Sequence, residues 1–340
     1  MDPTQPATSP AKHLSHVASG VARAIGFTAG MLVLAVVFAV GMGIGAATMF
    51  AGSMAESPVI SELYRDGNSD TIAVIPVEGI IDSSQAARVR MFVDEVLADD
   101  AVKAVVLRVD SPGGGIAASD RIWYEIRRLR DSGLPVVSSY GGVAASGGYY
   151  ISCATDHILA EPTCITGSIG VIAQSFIFKD LLDKVGVEPV TLISTASPSK
   201  DLGNPYREWT EADRVKYVGL LDAAYDIFNQ RVREGRSHAI TDPARIDELA
   251  DGSIYTAAQA QSSGLIDGIG YLDDAVTHAE TLAGVKPGTS TVVILRQARS
   301  IFDDLLIRSP AGIRSRLRDA EGIRSLVNEF AVPRLMYLMR

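Results

Sequence analysis

Within "GGVAASGGYYISCA", Gly141 to Ala154, Ser146 is flanked by two alanines and two glycines. Neighbours this small do not shield a hydroxyl, and glycine lets another backbone approach or lets the chain turn sharply. The chemistry that suits such a serine is nucleophilic attack, and a tight packing joint is the plainer alternative. Upstream, "DSPGGG", Asp110–Gly115, is a second cluster of small residues. Glycine N–H groups in such a loop can hold a developing oxyanion, worth on the order of 3–4 kcal/mol per donor. A plain tight turn is the alternative there.

A serine hydroxyl is inert near neutral pH unless a base takes its proton. Beyond the apolar stretch near the start of the chain, the histidines are His157, His238 and His278. His157 starts a predicted strand, and the other two lie in or beside helical sequence without a supporting motif. The lysines there are Lys103, Lys179, Lys184, Lys200, Lys216 and Lys286. Lys200 differs from the others because it sits in "STASPSKDLGNPYREWT", a long irregular segment of the kind that often carries function. A lysine base has to be neutral when it acts. Its ordinary pKa, about 10.4, must fall by roughly three, at a cost of roughly 4 kcal/mol. An exposed amine does not meet that condition, so substrate or a neighbouring subunit has to cover it. Spacing alone leaves the identity of the base open.

The elements that position these residues alternate from Thr71 onward. "TIAVIPVEGII" reads as a buried strand and "SSQAARVRMFVDEVLADD" as a helix opened by serine. "VKAVVLRVDS" is the next strand, and "ASDRIWYEIRRLRDSG" places Ile122, Ile126 and Leu129 on one helical face. "PVVSSYGGVA" is a third strand that runs into Ser146, while "DHILAEP" and "EPVTLIST" read as further strands. This alternation implies parallel strands joined by crossover helices in an α/β domain. Loops at the carboxyl ends of adjacent parallel strands meet at one sheet edge, which places "DSPGGG" beside Ser146. A long helix follows from Thr210 to Arg236, with Asp213 as the partner of its capping threonine.

Residues 1–23 are rich in Pro, Ser, Thr and Ala and read as a disordered tail. No charge occurs between Ala24 and Ala55, and a spanning helix needs about 20 apolar residues. Residues 24–51 are therefore expected to be a transmembrane anchor, with 52–70 as a linker. "SMA" at Ser53–Ala55 resembles a signal-peptide cleavage site, but the apolar run is longer than a signal segment needs. Lys12 and Arg23 precede the span, and Glu56, Glu62 and Asp66 follow it. That asymmetry keeps the tail cytoplasmic and puts the remainder on the extracytoplasmic, periplasmic side of an inner or plasma membrane. Residues 71–285 form the expected catalytic domain, and 286–340 an extension whose placement the sequence leaves open.

The net charge of −9 argues against a nucleic-acid partner. The two cysteines, Cys153 and Cys164, match no zinc pattern and no disulfide framework. They are expected to be small buried side chains, with a single disulfide as the alternative.

Several spaced motifs in one order resemble the signal peptide peptidase A, or protease IV, family. They are "IPVEGII", "VVLRVDSPGGG", "VAASGGYYISCATDHILAEPTCITGSIGVI", "SKDLGNPYREWTEADR" and "ADGSIYTAAQAQSSGLIDGIG". The likeness runs from about Thr71 to Ala283. It implies a ClpP/crotonase-like spiral of βαβ units with a helical C-terminal part, in the short single-core form. It implies a Ser–Lys dyad that needs no metal and no cofactor. Carried over by position, Ser146 is the nucleophile, Lys200 the general base, and Ser168 of "TGSIGV" the hydroxyl that holds the lysine. Gly114 and Gly147 supply the oxyanion N–H groups. "TASPS" before Lys200 departs from the family's usual approach to the lysine.

The family's members form rings, and short forms can complete each site with a lysine from the next subunit. The implied partners are extended apolar peptides, such as remnant signal peptides left in the membrane. Three alternatives share this architecture. A catalytically silent scaffold needs a broken dyad, whereas both members are present here. A crotonase-like acyl-CoA enzyme does not suit an extracytoplasmic location. For a protease acting on stomatin-like partners, "SKDLGNPYR" is a poorer fit.

Overall fold

The computed structural model describes residues 59–68 and 70–298, the backbone of residues 334–338, and three helical positions, Phe38, Gly41 and Met42. The expected membrane anchor, 24–51, otherwise lies outside the described residues. Among the described residues no helix is long and apolar enough to cross a membrane.

The chain opens with β1 (Val59–Arg65), β2 (Thr71–Glu78), α1 (Ser83–Ala98), β3 (Val102–Ser111) and the glycine strand β4 (Gly113–Gly115). Next come α2 (Ile116–Asp131), β5 (Val136–Ala145), α3 (Gly147–Ser152), β6 (His157–Ala160), β7 (Ile165–Gly167) and β8 (Ile172–Gln174). The helix-rich part holds α4 (Lys179–Val185), α5 (Glu211–Arg236), α6 (Pro243–Leu249), β9 (Ile254–Thr256) and α7 (Ala257–Ser263). It closes with β10 (Gly268–Ile269), α8 (Leu272–Leu282) and β11 (Thr291–Gln297), and β12 (Arg334–Leu338) follows later in the chain.

The fold is mixed α/β around one sheet ordered β1-β11-β2-β3-β5-β6-β10. Neighbours in it are parallel, except for the antiparallel pair β1 and β11. Burial on both faces explains why β2 reads as an unbroken apolar run. Ile72 and Val74 pack with Ala275, Val276 and Ala279 of α8 on one face. Ala73, Ile75 and Val77 pack with Val89 and Phe92 of α1 and Ile122 of α2 on the other.

Strand β5 is shared between two partners. Val137–Tyr140 pairs with β6, whereas Val143–Ala145 pairs with β7. The change of partner falls at Gly141–Gly142, while β3 still meets the end of β5 through Ser111 and Ala144, so Ser146 follows the end of a strand held between β3 and β7.

The structure departs from the sequence-based expectation at two places. Residues 188–195, "EPVTLIST", form no strand and are exposed throughout. The sheet also extends past the expected 71–285, because β1 and β11 contribute strands at its edge. Cys153 and Cys164 are both free and buried, with burial pushing each thiol up to about 12.

The end of α5 is tied to the sheet by a buried ion pair. Arg236 donates from Nη1 and Nη2 to the Asp267 carboxylate at 2.9 and 2.7 Å, and from Nε to the Gly264 carbonyl at 2.9 Å. Asp267 also accepts from the Ile158 N–H at 2.7 Å and meets His238 at 2.9 Å. Although burial opposes ionisation, Arg236 and these other donors hold the carboxyl well below its ordinary value. Its contribution to stability is complete above the unfolded carboxylate range and is lost as pH falls below it. Asp267→Asn strands a buried guanidinium, so it is expected to cost about 3–5 kcal/mol. Urea melts at neutral pH measure this, and an unchanged midpoint would contradict the reading.

Candidate active site

Ser146 sits between the end of β5 and the start of α3, with φ of 52° and ψ of −112°. Among the described residues only Ser146 and Ser168 are non-glycine residues with positive φ. Such a conformation costs of order 1–3 kcal/mol and persists only where the surroundings enforce it. Here the Ser146 N–H donates to the Gly167 carbonyl at 2.8 Å, and its own carbonyl accepts from the Tyr150 N–H at 2.8 Å. These two bonds clamp the turn from both sides. Ser146 is fully buried, and among the described residues its Oγ has no hydrogen-bond partner.

The glycine loop lies directly against this turn. A Cβ placed on Gly147 would lie 3.2 Å from the Gly114 N atom and 2.6 Å from Ser119 Oγ. Only glycine allows the two backbones to come so close. Gly147 opens α3, so its N–H has no acceptor within the helix. Gly114 is held in place by Ile81. A Cβ there would fall 2.1 Å from the Ile81 carbonyl oxygen. The Ile81 N–H donates to the Gly113 carbonyl at 2.9 Å, and the Gly115 N–H donates to the Ile81 carbonyl at 2.8 Å. The Gly113 N–H is taken by Ser111 Oγ at 3.1 Å. The backbone of the glycine loop at Gly113–Gly114 therefore lies against Gly147, the residue that follows Ser146.

Ser168 follows Gly167, whose carbonyl binds Ser146, so the two serines directly follow the ends of the paired strands β5 and β7. The Ser168 N–H donates to the Ser253 carbonyl at 2.7 Å, which sets its positive φ. Ser168 borders a cavity of about 440 Å³ that Ile172, Leu221, Tyr225 and Ile254 also line.

Lys200 occupies a 3-10 turn, Pro198–Asp201, and is exposed. The "SKDLGNPYREWTEAD" sequence fastens that turn to the start of α5. Arg207 binds Asp201 and also reaches Asp213 at 2.7 Å. Asp213 closes the reciprocal cap with Thr210, as the sequence suggested. Trp209 donates to the Asn204 carbonyl at 3.1 Å and stacks on Tyr217 at 4.9 Å. Among the described residues the Lys200 ammonium makes no hydrogen bond or ion pair. The structure thus brings Ser146, Ser168, Gly114 and Gly147 together, whereas Lys200 makes no hydrogen bond to Ser146 within the chain.

Sequence reasoning missed Ser119 and Ser111. Ser119 Oγ is buried, unpartnered and turned toward Gly147; Ser111 orders the glycine loop. Ser111 lies inside the quoted "DSPGGG", whereas Ser119 carried no signal beyond its place in the first turn of α2.

Residues 128–286 match peptidase family S49. A putative protease of Synechocystis is 36% identical over 224 residues, covering 66% of this chain and 78% of that one. A putative signal peptide peptidase SppA of Enterococcus faecium is 40% identical over 196 residues, covering 58% of this chain and 55% of that one. The chain therefore spans only about half of the latter relative. Among solved structures, a variant of the 1510-N membrane-bound stomatin-specific protease covers 67% of this chain and 99% of its own, at 15% identity and TM-score 0.44. The chain belongs to peptidase family S49.

Proposed function

We propose that the protein is a serine endopeptidase with a ClpP/crotonase-like core, anchored by residues 24–51 and working on the extracytoplasmic side of the membrane. Its substrates are extended apolar peptides, remnant signal peptides among them. The Ser146 Oγ attacks the scissile carbonyl carbon and Lys200, neutral, takes the hydroxyl proton. The carbonyl oxygen, now negative, receives the Gly114 and Gly147 N–H groups. Collapse breaks the C–N bond, the lysine returns the proton to the leaving amine, and water hydrolyses the acyl-serine by the same proton path. Ser168 orients the amine.

The observation that carries this reading is Ser146, its backbone at positive φ and its hydroxyl buried and without a partner among the described residues, where the glycine loop packs against Gly147. Structural serines rarely leave a buried hydroxyl unsatisfied.

The base comes from a neighbouring subunit in a ring of identical chains. Lys200 is exposed and free of described partners, and its stretch carries large exposed apolar side chains, Val190 and Leu192 among them, at 78% and 92% exposure. Apolar surface of that kind marks a face that another chain covers. Covering it also removes the water that would keep the amine charged.

A peptide copied from a signal-sequence apolar core, incubated with the full chain in detergent, is expected to yield internal fragments by mass spectrometry. An intact peptide after prolonged incubation at neutral and alkaline pH would contradict the proposal.

A further inference from the structure

The turn at Ser146 is clamped on one side by a residue whose side chain the catalytic reading does not use. Tyr150, within α3, donates its N–H to the Ser146 carbonyl at 2.8 Å. That bond enforces the positive φ of Ser146 only if Tyr150 is itself fixed. The Tyr150 side chain is fully buried and anchored on two other helices. On α2, the Asp120 carboxylate accepts from the Tyr150 hydroxyl at 2.6 Å. On α5, Phe228 meets the Tyr150 ring edge-on, with centroids 5.1 Å apart. Arg231, three residues further along α5, lies 3.7 Å from the same Asp120 carboxylate. Its guanidinium also covers the Trp123 ring of α2 at 3.6 Å.

Helix α2 is the one that the glycine strand runs into, with Gly115 as its N-cap. Its first turns therefore meet the nucleophile turn twice, Ser119 against Gly147 and Asp120 against Tyr150. A hydroxyl–carboxylate bond is charge-assisted and roughly twice as strong as a neutral one. The placement of α3 against the glycine loop thus rests on a directional polar bond as well as on packing.

We infer that Tyr150 is a positioning residue for the Ser146 nucleophile, with Asp120 as the group that fixes it. The inference rests on the reading of Ser146 as the peptidase centre and deepens it: the reaction needs the nucleophile turn locked to the helix that follows the glycine loop. Neither side chain exchanges a proton with substrate, and both act through the Ser146 backbone. Misplacing a reacting atom by about 1 Å costs up to about 10²-fold in rate. Loosening that leaves the packing on Phe228 intact is expected to cost about tenfold.

The test measures hydrolysis of a fluorogenic peptide by the full chain in detergent and by four variants, with melting temperatures taken alongside. The variants are Tyr150→Phe, Asp120→Ala, Asp120→Asn and the double Tyr150→Phe/Asp120→Ala. Phenylalanine keeps the ring on Phe228 and removes only the donor, whereas asparagine keeps an acceptor oxygen without the charge. Tyr150→Phe and Asp120→Ala are each expected to lower kcat about tenfold with KM unchanged. The double variant is expected to lose no more than either single one, because both remove the same bond. Asp120→Asn is expected to recover kcat to within about threefold of the unaltered chain. A merely structural bond would lower the melting temperature and leave kcat alone. Unchanged kcat in both single variants, a loss confined to KM, additive losses in the double, or Asp120→Asn as poor as Asp120→Ala would each overturn the inference. In all four cases the unaltered chain still cleaves, so the peptidase reading stands. No hydrolysis by the unaltered chain would remove both.

Discussion

Ser146→Ala is expected to reduce peptide hydrolysis by at least about 10⁴-fold, or about 5.5 kcal/mol of transition-state stabilisation. Loss of the nucleophile leaves only binding and the amide pair, which by themselves give weak catalysis. The same substitution should leave the fold intact or firmer. The hydroxyl has no hydrogen-bond partner to lose, and alanine keeps the Cβ, so the backbone strain at φ of 52° is unchanged. Removing a buried, unsatisfied hydroxyl relieves a penalty of about 1–3 kcal/mol. Loss of activity with an equal or higher melting temperature is thus the specific signature. Equal loss of both would make Ser146 a packing residue, and retained activity would place the nucleophile elsewhere.

Lys200→Ala is expected to match that loss of activity, again with stability unchanged. The side chain is exposed and its ammonium has no described partner, so its removal falls within the roughly 0.5 kcal/mol typical of surface changes. Lys200→Arg should not restore the rate, because a guanidinium keeps its proton and cannot act as a base. The rate of the unaltered chain should fall as pH falls, since an ammonium cannot accept the serine proton. Steady-state rates across a pH series check each point, and substantial activity in Lys200→Ala would assign the base to another group.

Much of the framework was legible from the sequence because it depends on local pattern. The apolar runs of β2 and β3, the helical spacing of Ile122, Ile126 and Leu129, and the Thr210–Asp213 cap all emerge as read. The meeting of "DSPGGG" with Ser146 followed from the parallel order of β3 and β5. Other features depend on partners distant in sequence. "EPVTLIST" has the composition of a strand, yet it pairs with no described strand and is exposed. β11 joins the sheet by pairing with β2, and β1 joins it only through β11, between residues 59–65 and 291–297. The positive φ of Ser146 and Ser168 needs the Gly167 and Ser253 carbonyls, which no local motif announces. The pairing of residues 334–338 with the glycine strand was equally invisible, because backbone pairing leaves no signature in side-chain types.

The central claim is that the nucleophile and its base reach one another from two subunits. Co-expression of Ser146→Ala and Lys200→Ala chains tests it most directly, since each variant is expected to be inactive alone. In a ring assembled at random from equal amounts, about a quarter of the sites unite an intact Ser146 with an intact Lys200 from its neighbour. The account predicts recovery of about a quarter of the unaltered activity. Mixed assemblies as inactive as either parent would contradict it.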